Sequence, residues 1–377
     1  MRRRTCRRAA GVAAAVAVGT AVLAGCGGGG GGSNAANGGA PCRGVDVPPY
    51  DPNTIVIAGD AWSGYAPFRD DTLLSRTGYD TAWVDQPCQE LRARDLTEGR
   101  VDVAVTTLDQ FLRQRPEGVV VGIIDQSHGA DALALGTVAR PELDSVDDVR
   151  ALVDEFAERG DKPVLAYTGE SPSEMLLNEL ANSTDELRLA DFDLVSVDQS
   201  ATAYRMLQED QAQLAVLWEP DTSTASEAGY TIALSSADVP GSLVDVMVVS
   251  DRLIEERPAA VQALVSSYYR RMDALLADPA AMSRFYAEDG GLDMATAQNL
   301  VNGIRVYGAA GANEFMNVDV FPLDRPLVEQ SVNAIGSVLA LRDPDVAFEE
   351  APVDGSYVQT YADQVASFAE FQQGTAR

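Results

Sequence analysis

From Thr54 onward the chain alternates short β-rich segments with segments of helical periodicity, and this alternation limits the possible folds more than any other feature. Residues 54–58 read as a first strand, and residues 147–158 form the clearest amphipathic helix, with apolar side chains on one face. Further strands are predicted at 81–84, 101–106, 119–125, 132–136, 163–167, 192–197, 214–218, 231–234 and 244–249. Helices are predicted at 90–99, 108–115, 201–209 and 258–277, from Pro172, and over most of the remaining C-terminal chain. Such alternation predicts an α/β fold with mostly parallel sheets.

The N-terminus has the order of features that is typical of an export signal. Five arginines within the first eight residues precede an uncharged apolar stretch, 9–23, that is too short for a comfortable membrane span. The next residues, 23–26, read Leu-Ala-Gly-Cys and resemble a bacterial lipobox, in which the cysteine receives a diacylglycerol and the chain is cut before it. An ordinary signal peptide with an incidental cysteine at position 26 is the alternative.

Residues 27–32 are all glycine, and a run of this kind behaves as a flexible tether. We therefore expect a signal peptide at 1–25, lipidation of Cys26 and a flexible anchored linker at 26–53. The expected location is the extracytoplasmic face of the cell membrane, with the lipid as the membrane contact.

Charge restricts the partners of the chain. The net charge is −29, and removal of the signal would leave 23 basic residues against 57 acidic ones, a net charge of −34. A field this negative argues against nucleic acids and anionic lipid surfaces. His128 is the only histidine, which removes His-dependent catalytic triads and Cys/His metal clusters from consideration. We expect no metal and no cofactor.

Cys42 and Cys88 remain after Cys6 leaves with the signal and Cys26 takes the lipid. In an oxidising compartment two leftover cysteines suggest one disulfide. Two free, buried thiols are the alternative.

Candidate ligand-binding residues follow the predicted strands, because ligands of α/β proteins gather at the carboxyl ends of parallel strands. Trp62 and Tyr65 flank Gly64 after the first strand, where they could stack on a ligand or pack under the loop as core. Thr106 and Thr107 offer hydroxyls, although Thr107 could instead begin a capping box.

The second half of the chain offers similar candidates. Ser127 and Asp131 join two apolar strands, and the neighbouring His128 reads as an ordinary loop histidine. Ser171 opens a helix, where its position fits either ligand binding at the free N–H groups or capping alone. Trp218 and Glu219 end a strand, and Glu219 could bind a ligand or cap the next helix.

The order of these segments resembles the solute-binding proteins of nitrate/sulfonate/taurine-type ABC importers, which share a fold with pyrimidine-precursor binding proteins. The matching segments are W-x-G-Y-x-P (62–67), G-R-V-D-V-A-V-T-T (99–107), D-x-S-x-G-A-D (125–131), G-x-S-x-S (169–173), D-Q-S-A-x-A-Y (198–204), Q-L-A-V-L-W-E-P (213–220) and 245–263. No single motif is strong, but their order and spacing together cover most of residues 54–275.

This resemblance implies a two-lobed periplasmic-binding-protein type 2 fold with two interlobe crossings, near 133–137 and 236–242, and a helical C-terminal region. The implied divisions are 54–134 for the first part of lobe 1, 135–240 for lobe 2, and 241–377 for the return to lobe 1 and the C-terminal helices. The implied function is capture of a small organic solute in the interlobe cleft and its delivery to the permease and ATPase of an ABC importer.

Two other functions stay open at this stage. A surface lipoprotein that senses a ligand with a membrane receptor would have the same sequence features. An enzyme of the pyrimidine-precursor synthase type is disfavoured, because such enzymes depend on a lysine and a histidine near the cofactor, whereas Lys162 precedes a strand and His128 stands alone. Residues 78–90 also depart from the family pattern, so the solute cannot be inferred from the resemblance.

The charges of the strand-end segments favour a neutral or cationic solute. These segments contain no arginine, the residue that most often binds oxyanions in pairs of hydrogen bonds. They do contain Asp60, Asp131, Glu219 and Asp245. Helix N-termini can still hold an anion, so an anionic solute is not excluded.

Overall fold

The computed structural model describes residues 43–136, 145–169, 171–182, 187–238, 241, 243–316, 354 and 356–358. The expected signal peptide, Cys26 and Cys42 lie outside these residues. The strands are β1 (Thr54–Gly59), β2 (Asp80–Asp85), β3 (Val103–Thr107), β4 (Gly118–Ser127), β5 (Ala132–Leu135), β6 (Val164–Thr168), β7 (Asp193–Val197), β8 (Leu214–Leu217), β9 (Thr231–Ser235), β10 (Val244–Ser250) and β11 (Ile304–Val306). The α-helices are α1 (Ala66–Arg69), α2 (Gln89–Thr97), α3 (Leu108–Gln114), α4 (Val146–Glu158), α5 (Ser173–Asn182), α6 (Ser200–Gln208), α7 (Asp221–Glu227), α8 (Asp251–Glu256), α9 (Pro258–Leu276), α10 (Pro279–Gly290), α11 (Met294–Gly303) and α12 (Ala309–Met316).

The strands form two sheets, one in each lobe. The first sheet has the order β11-β4-β10-β3-β1-β2, and the second has the order β7-β6-β8-β5-β9. Strand β1 runs parallel to β2 and β3, and β6 runs parallel to β7 and β8, as expected for strands joined through helices. Strand β10 pairs antiparallel with β3 and β4 at the centre of the first sheet. The predicted α/β fold with two lobes is confirmed, but the expectation of mostly parallel sheets is wrong. Five of the nine strand pairings among the described residues are antiparallel, because β5, β10 and β11 run against their neighbours.

Two chain segments connect the sheets. The first crosses between Ser127 at the end of β4 and Ala132 at the start of β5, and the second runs from the end of β9 to the start of β10. The first crossing therefore precedes the expected 133–137, because Ala132 already pairs with Leu217 in the second sheet. Two backbone hydrogen bonds join the crossings, from Ser236 N to Asp131 O (2.8 Å) and from Ser127 N to Leu243 O (3.0 Å). The division of the whole chain into lobes stays a prediction.

Helix α9 anchors the return of the chain to the first sheet. Its two adjacent tyrosines are fully buried and donate hydrogen bonds to strand β4, Tyr268 to Ile124 O (3.2 Å) and Tyr269 to Ile123 O (2.7 Å). Tyr268 also stacks on Phe68 of α1, with 4.8 Å between the ring centroids. This packing fixes α1, and with it the loop that follows β1.

Some local expectations differ from the structure. Residues 145–148, Ser-Val-Asp-Asp, predict a capping box at the start of α4. The hydroxyl of Ser145 makes no capping bond to a backbone N–H of α4 and donates instead to the Asp148 carboxylate (2.7 Å). Strand β11 lies in a region expected to be helical, where a short run pairs with the edge of β4.

Cys88 is disulfide-bonded. Among the described residues, no helix combines the length and the apolar character needed to cross a bilayer.

Candidate functional site

A cavity of about 200 Å³ lies between the two sheets. The carboxyl ends of the parallel strands β1 to β3 and β6 to β8 lead into residues of its wall, as this architecture predicts. The first crossing contributes Asp131 and the second contributes Leu243. Both lobes therefore supply side chains to one shared cavity.

Three aromatic side chains line the cavity: Trp62, Tyr65 and Trp218. Trp62 and Tyr65 are also part of the hydrophobic core, with exposed fractions of 6% and 1%, whereas Trp218 is half-buried. The indole Nε1 of Trp62 donates to Asp125 Oδ2 (3.4 Å), and the Tyr65 hydroxyl donates to the Asp245 carboxylate. Trp62 thus belongs to the core and also lines the cavity, and its contact with a ligand stays a prediction.

The loop after β1 is held by two arginines. Arg92 is fully buried and donates to Asp60 Oδ2 (2.7 Å) and to Val105 O (2.7 Å). Arg69 donates to the backbone oxygens of Asp60 (3.1 Å) and Trp62 (3.0 Å). These hydrogen bonds hold the loop that carries Trp62 and Tyr65.

Gly64 does not line the cavity, but its lack of a side chain matters nearby. A Cβ at this position would collide with the Asp125 carboxylate and with the indole nitrogen of Trp62. Glycine at position 64 therefore permits the hydrogen bond between Trp62 and Asp125.

Asp125 and Asp245 form a buried pair of carboxyls behind the loop aromatics. They stand opposite each other where β4 pairs with β10, and Asp245 lines the cavity. Burial raises the pKa of both groups, and the proximity of each to other carboxylates raises it further. The donors Trp62 and Tyr65 act in the opposite direction, because they favour the ionised forms. The pair can therefore hold a proton at neutral pH.

The pKa values of Asp131 and Glu219 are also raised. Burial raises the pKa of each to about 7, and the Asp131 charge adds to the effect on Glu219. Asp131 lines the cavity. The Glu219 carboxylate accepts hydrogen bonds from Ser223 Oγ (2.7 Å) and Ser223 N (3.2 Å) at the start of α7, in agreement with the capping alternative.

The hydroxyl groups divide between the cavity and the scaffold. Thr107 lines the cavity, whereas Thr106 donates to Gln89 Oε1 (2.8 Å). Ser171 lines the cavity and donates to Thr168 O (2.7 Å) while it accepts from Ser173 N (3.2 Å). The Ser127 hydroxyl bonds to the Ser236 hydroxyl (2.7 Å) and so joins the two crossings.

Seven of the predicted ligand-binding residues line the cavity: Trp62, Tyr65, Thr107, Asp131, Ser171, Trp218 and Asp245. Gly64, Thr106, Ser127 and Glu219 lie behind it and support its wall. His128 is exposed on the first crossing.

Sequence reasoning missed several residues of the wall. Asp85 is the last residue of β2, and Asp198 to Ala201 follow β7, so both sets occupy strand ends that the same rule could have found. Asp221 begins α7, a helix that the sequence analysis did not predict. Thr168 is the last residue of β6.

The wall is strongly acidic. It contains Asp60, Asp85, Asp131, Asp198, Asp221 and Asp245, and no arginine, lysine or histidine among the residues that the structure describes. Across the described ranges, no group of three or more His, Cys, Asp or Glu side chains is arranged to hold a metal ion.

Comparison with solved structures shows which fold this is. The E. coli aliphatic sulphonate-binding protein SsuA matches with a TM-score of 0.58 at 14% identity, over 80% of this chain and 96% of that one. The chain has the fold of the ABC-importer solute-binding proteins. The ligand-binding component of an ABC-type import system from Staphylococcus aureus matches with a TM-score of 0.61 at 14% identity, over 81% of this chain and 98% of that one.

The nitrate-binding protein NrtA from Synechocystis PCC 6803 has the same fold, with a TM-score of 0.57 at 12% identity over 82% of this chain and 98% of NrtA. No protein-family model matches the sequence, and no curated protein matches it. Because the identities are this low, the solute-binding fold is shared, whereas the ligand has to be inferred from the cavity itself.

Proposed function

We propose that this chain is an extracytoplasmic, lipid-anchored solute-binding protein that captures a small organic molecule between its lobes and delivers it to an ABC importer. One observation carries the proposal: a single cavity is lined from both lobes within a fold shared with solute-binding proteins. Contacts to both lobes would stabilise a closed form, which a permease can distinguish from the empty protein.

The polar and aromatic composition of the wall supports binding of an organic solute. Trp62, Tyr65 and Trp218 provide burial, and carboxylates and hydroxyls provide orientation. We infer binding and not catalysis, because the similar solved structures are mainly binding proteins.

Solute binding is tested by thermal shift of the purified protein, as processed by the expressing cell, against sulfonates, nitrate, pyrimidines and amines. A solute at 100 times its Kd should stabilise the protein by about 2.7 kcal/mol. A Trp218→Ala variant should lose this shift, since Trp218 lines the cavity. Trp218 is half-buried and packs against the core, so the Tm of the variant without solute is measured alongside. Absence of a shift with every compound class would contradict the proposal.

The lipid anchor is tested separately. Cys26→Ala should release the protein from membranes or leave the precursor uncut, because the thiol that receives the diacylglycerol is gone. Cys6→Ala is the matched control and should leave membrane attachment unchanged. A mature chain that begins at another residue without a diacylglycerol, as measured by intact mass, would rule out the anchor.

A further inference from the structure

We propose that the interlobe cavity binds a compact organic cation, an amine or a quaternary ammonium ion, between aromatic rings and carboxylates. This inference rests on the proposed solute-binding function and names the chemical class of its solute. The observations behind it are the charge of the wall, its aromatic side chains and an unpartnered buried hydroxyl.

The acidic side chains of the wall have few basic partners. Six aspartates line the cavity, and only Asp60 is paired with a basic side chain of the described residues, through Arg92 at 2.7 Å. Asp131 and Asp245 are buried, with exposed fractions of 4% and 3%. Buried carboxylates without a cation are costly, so a positively charged solute would supply the missing partner.

The aromatic side chains favour an organic cation over a metal ion. Trp62 and Tyr65 stand on the first lobe and Trp218 on the second, and all three line the same cavity as the aspartates. Aromatic faces attract ammonium groups through the ring quadrupole. A hard metal cation instead requires several oxygen ligands around it and gains little from apolar rings.

Thr168 offers a second, independent sign of a ligand. It lines the cavity from the second lobe and is 5% exposed, and its Oγ1 has no hydrogen-bond partner among the described residues. Buried hydroxyls are nearly always hydrogen-bonded, so this one is suited to a polar group of a solute. It can accept from an ammonium N–H or donate to a hydroxyl of the same molecule.

The inference also predicts the direction in which the affinity for the solute changes with pH. The pKa of Asp131 is about 7, raised by burial and then by the charges of Asp109 and Asp60. Glu219, Asp245 and Asp125 also interact electrostatically with Asp131, and Arg92, which faces the same loop, is bound to Asp60. A cationic solute would favour the ionised carboxylates and displace protons, so its affinity should rise as pH increases from about 5.5 to about 8. An anion held by protonated carboxyls would show the opposite trend.

The test is isothermal titration calorimetry of the purified protein with pairs of cationic and neutral compounds of the same shape. Choline is compared with 3,3-dimethyl-1-butanol, and benzylamine with benzyl alcohol. At least one cation should bind about ten-fold or more tightly than its neutral counterpart. Its affinity should increase with pH, and binding should release protons, as measured in buffers of different ionisation enthalpy.

Substitutions of single aspartates identify the carboxylates that bind the cation. Asp131→Asn should weaken binding of that cation by about ten-fold or more and reduce the pH dependence. Asp71→Asn, an exposed aspartate away from the cavity wall, is the matched control and should bind normally. Asp221→Asn on the opposite lobe is the second variant if Asp131→Asn fails to fold.

Three results would overturn the inference: equal affinity for each cation and its neutral counterpart, no binding of either cation, or binding of ethanesulfonate or nitrate that strengthens as pH falls. In each case a neutral or anionic compound that binds in the broader panel would leave the proposed solute-binding function standing. Loss of the inference and loss of that function are therefore separate outcomes.

Discussion

The side chain of Trp62 packs in the hydrophobic core and also lines the cavity. It is 6% exposed, donates to Asp125 and still lines the cavity. Trp62→Ala should therefore lower stability by about 3–5 kcal/mol, the scale for loss of a buried aromatic ring, and weaken solute binding as well. Thermal unfolding without ligand and calorimetry with ligand measure the two effects.

Trp62→Phe separates the contributions of the ring and the N–H group. Trp62→Phe keeps most of the buried apolar surface and removes the hydrogen bond to Asp125. The unfolding free energy should therefore fall by about 1–3 kcal/mol. If Trp62→Ala left both Tm and affinity unchanged, neither role of Trp62 would hold.

Asp131 is expected to oppose stability in the empty protein. Its folded pKa is about 7 and its unfolded value is near 3.9, so the native state binds more protons between about pH 4 and pH 7. Stability conferred by the protonated carboxyl is present at low pH and is lost as pH rises through that window. Asp131→Asn should therefore raise the unfolding free energy at about pH 8 by at most about 4 kcal/mol, which is measured as a higher Tm. The same substitution should have little effect near pH 4.

The control for this prediction is again Asp71→Asn, which removes one exposed carboxylate from the same lobe. Its Tm should follow that of the parent protein at both pH values. A fall in Tm for Asp131→Asn at the higher pH would show that the ionised carboxylate is favourably solvated in the empty cavity.

At the scale of elements, Asp102 joins three parts of the first lobe. Its carboxylate accepts from the β1 backbone at Val56 N (3.0 Å), from Arg252 of α8 (3.1 Å) and from Arg257 before α9 (2.6 Å). It is almost fully buried. Removing one partner of a buried ion pair costs about 3–5 kcal/mol, so Asp102→Asn should lower the unfolding free energy by that amount.

Denaturant unfolding measures this change, and Asp154→Asn is a suitable comparison. Asp154 pairs with Arg150 (2.7 Å) on the exposed face of α4, where a pair spaced four residues apart contributes about 0.3–0.5 kcal/mol. Equal losses in the two variants would show that burial does not strengthen the Asp102 cluster.

At the scale of the whole molecule, a disulfide between Cys42 and Cys88 would tie the beginning of the folded chain to the first lobe. Cys88 is disulfide-bonded, and Cys42 as its partner stays a prediction. A loop of about 46 residues corresponds to roughly 4 kcal/mol in the chain-entropy model. Cys88→Ser should therefore lower the unfolding free energy by roughly 4 kcal/mol, measured as a lower Tm under non-reducing conditions.

The double variant Cys42→Ser/Cys88→Ser provides the control. If the two cysteines are bonded to each other, the double variant should be no less stable than either single one. Labelling of both thiols in the denatured, unreduced protein would exclude the bond.

The local pattern of the sequence was enough to predict most of the elements, although not α7 or β11, and the side of the sheets that holds the cavity. Period-two and helical segments depend on neighbouring residues, and parallel strands place their carboxyl ends on one side. Trp62, Ser171 and Trp218 were found in this way, because each follows or begins an element at that side.

Only the tertiary structure decided which of these side chains reach the cavity. Adjacent strand residues point to opposite faces, so register alone separates Thr107 in the wall from Thr106 behind it. Ser127 meets Ser236 at the joined crossings, although 109 residues separate them. Asp125 stands opposite Asp245 because β4 pairs with β10. Pairings between distant segments depend on the packing of the whole chain, so no local pattern in the sequence specifies them.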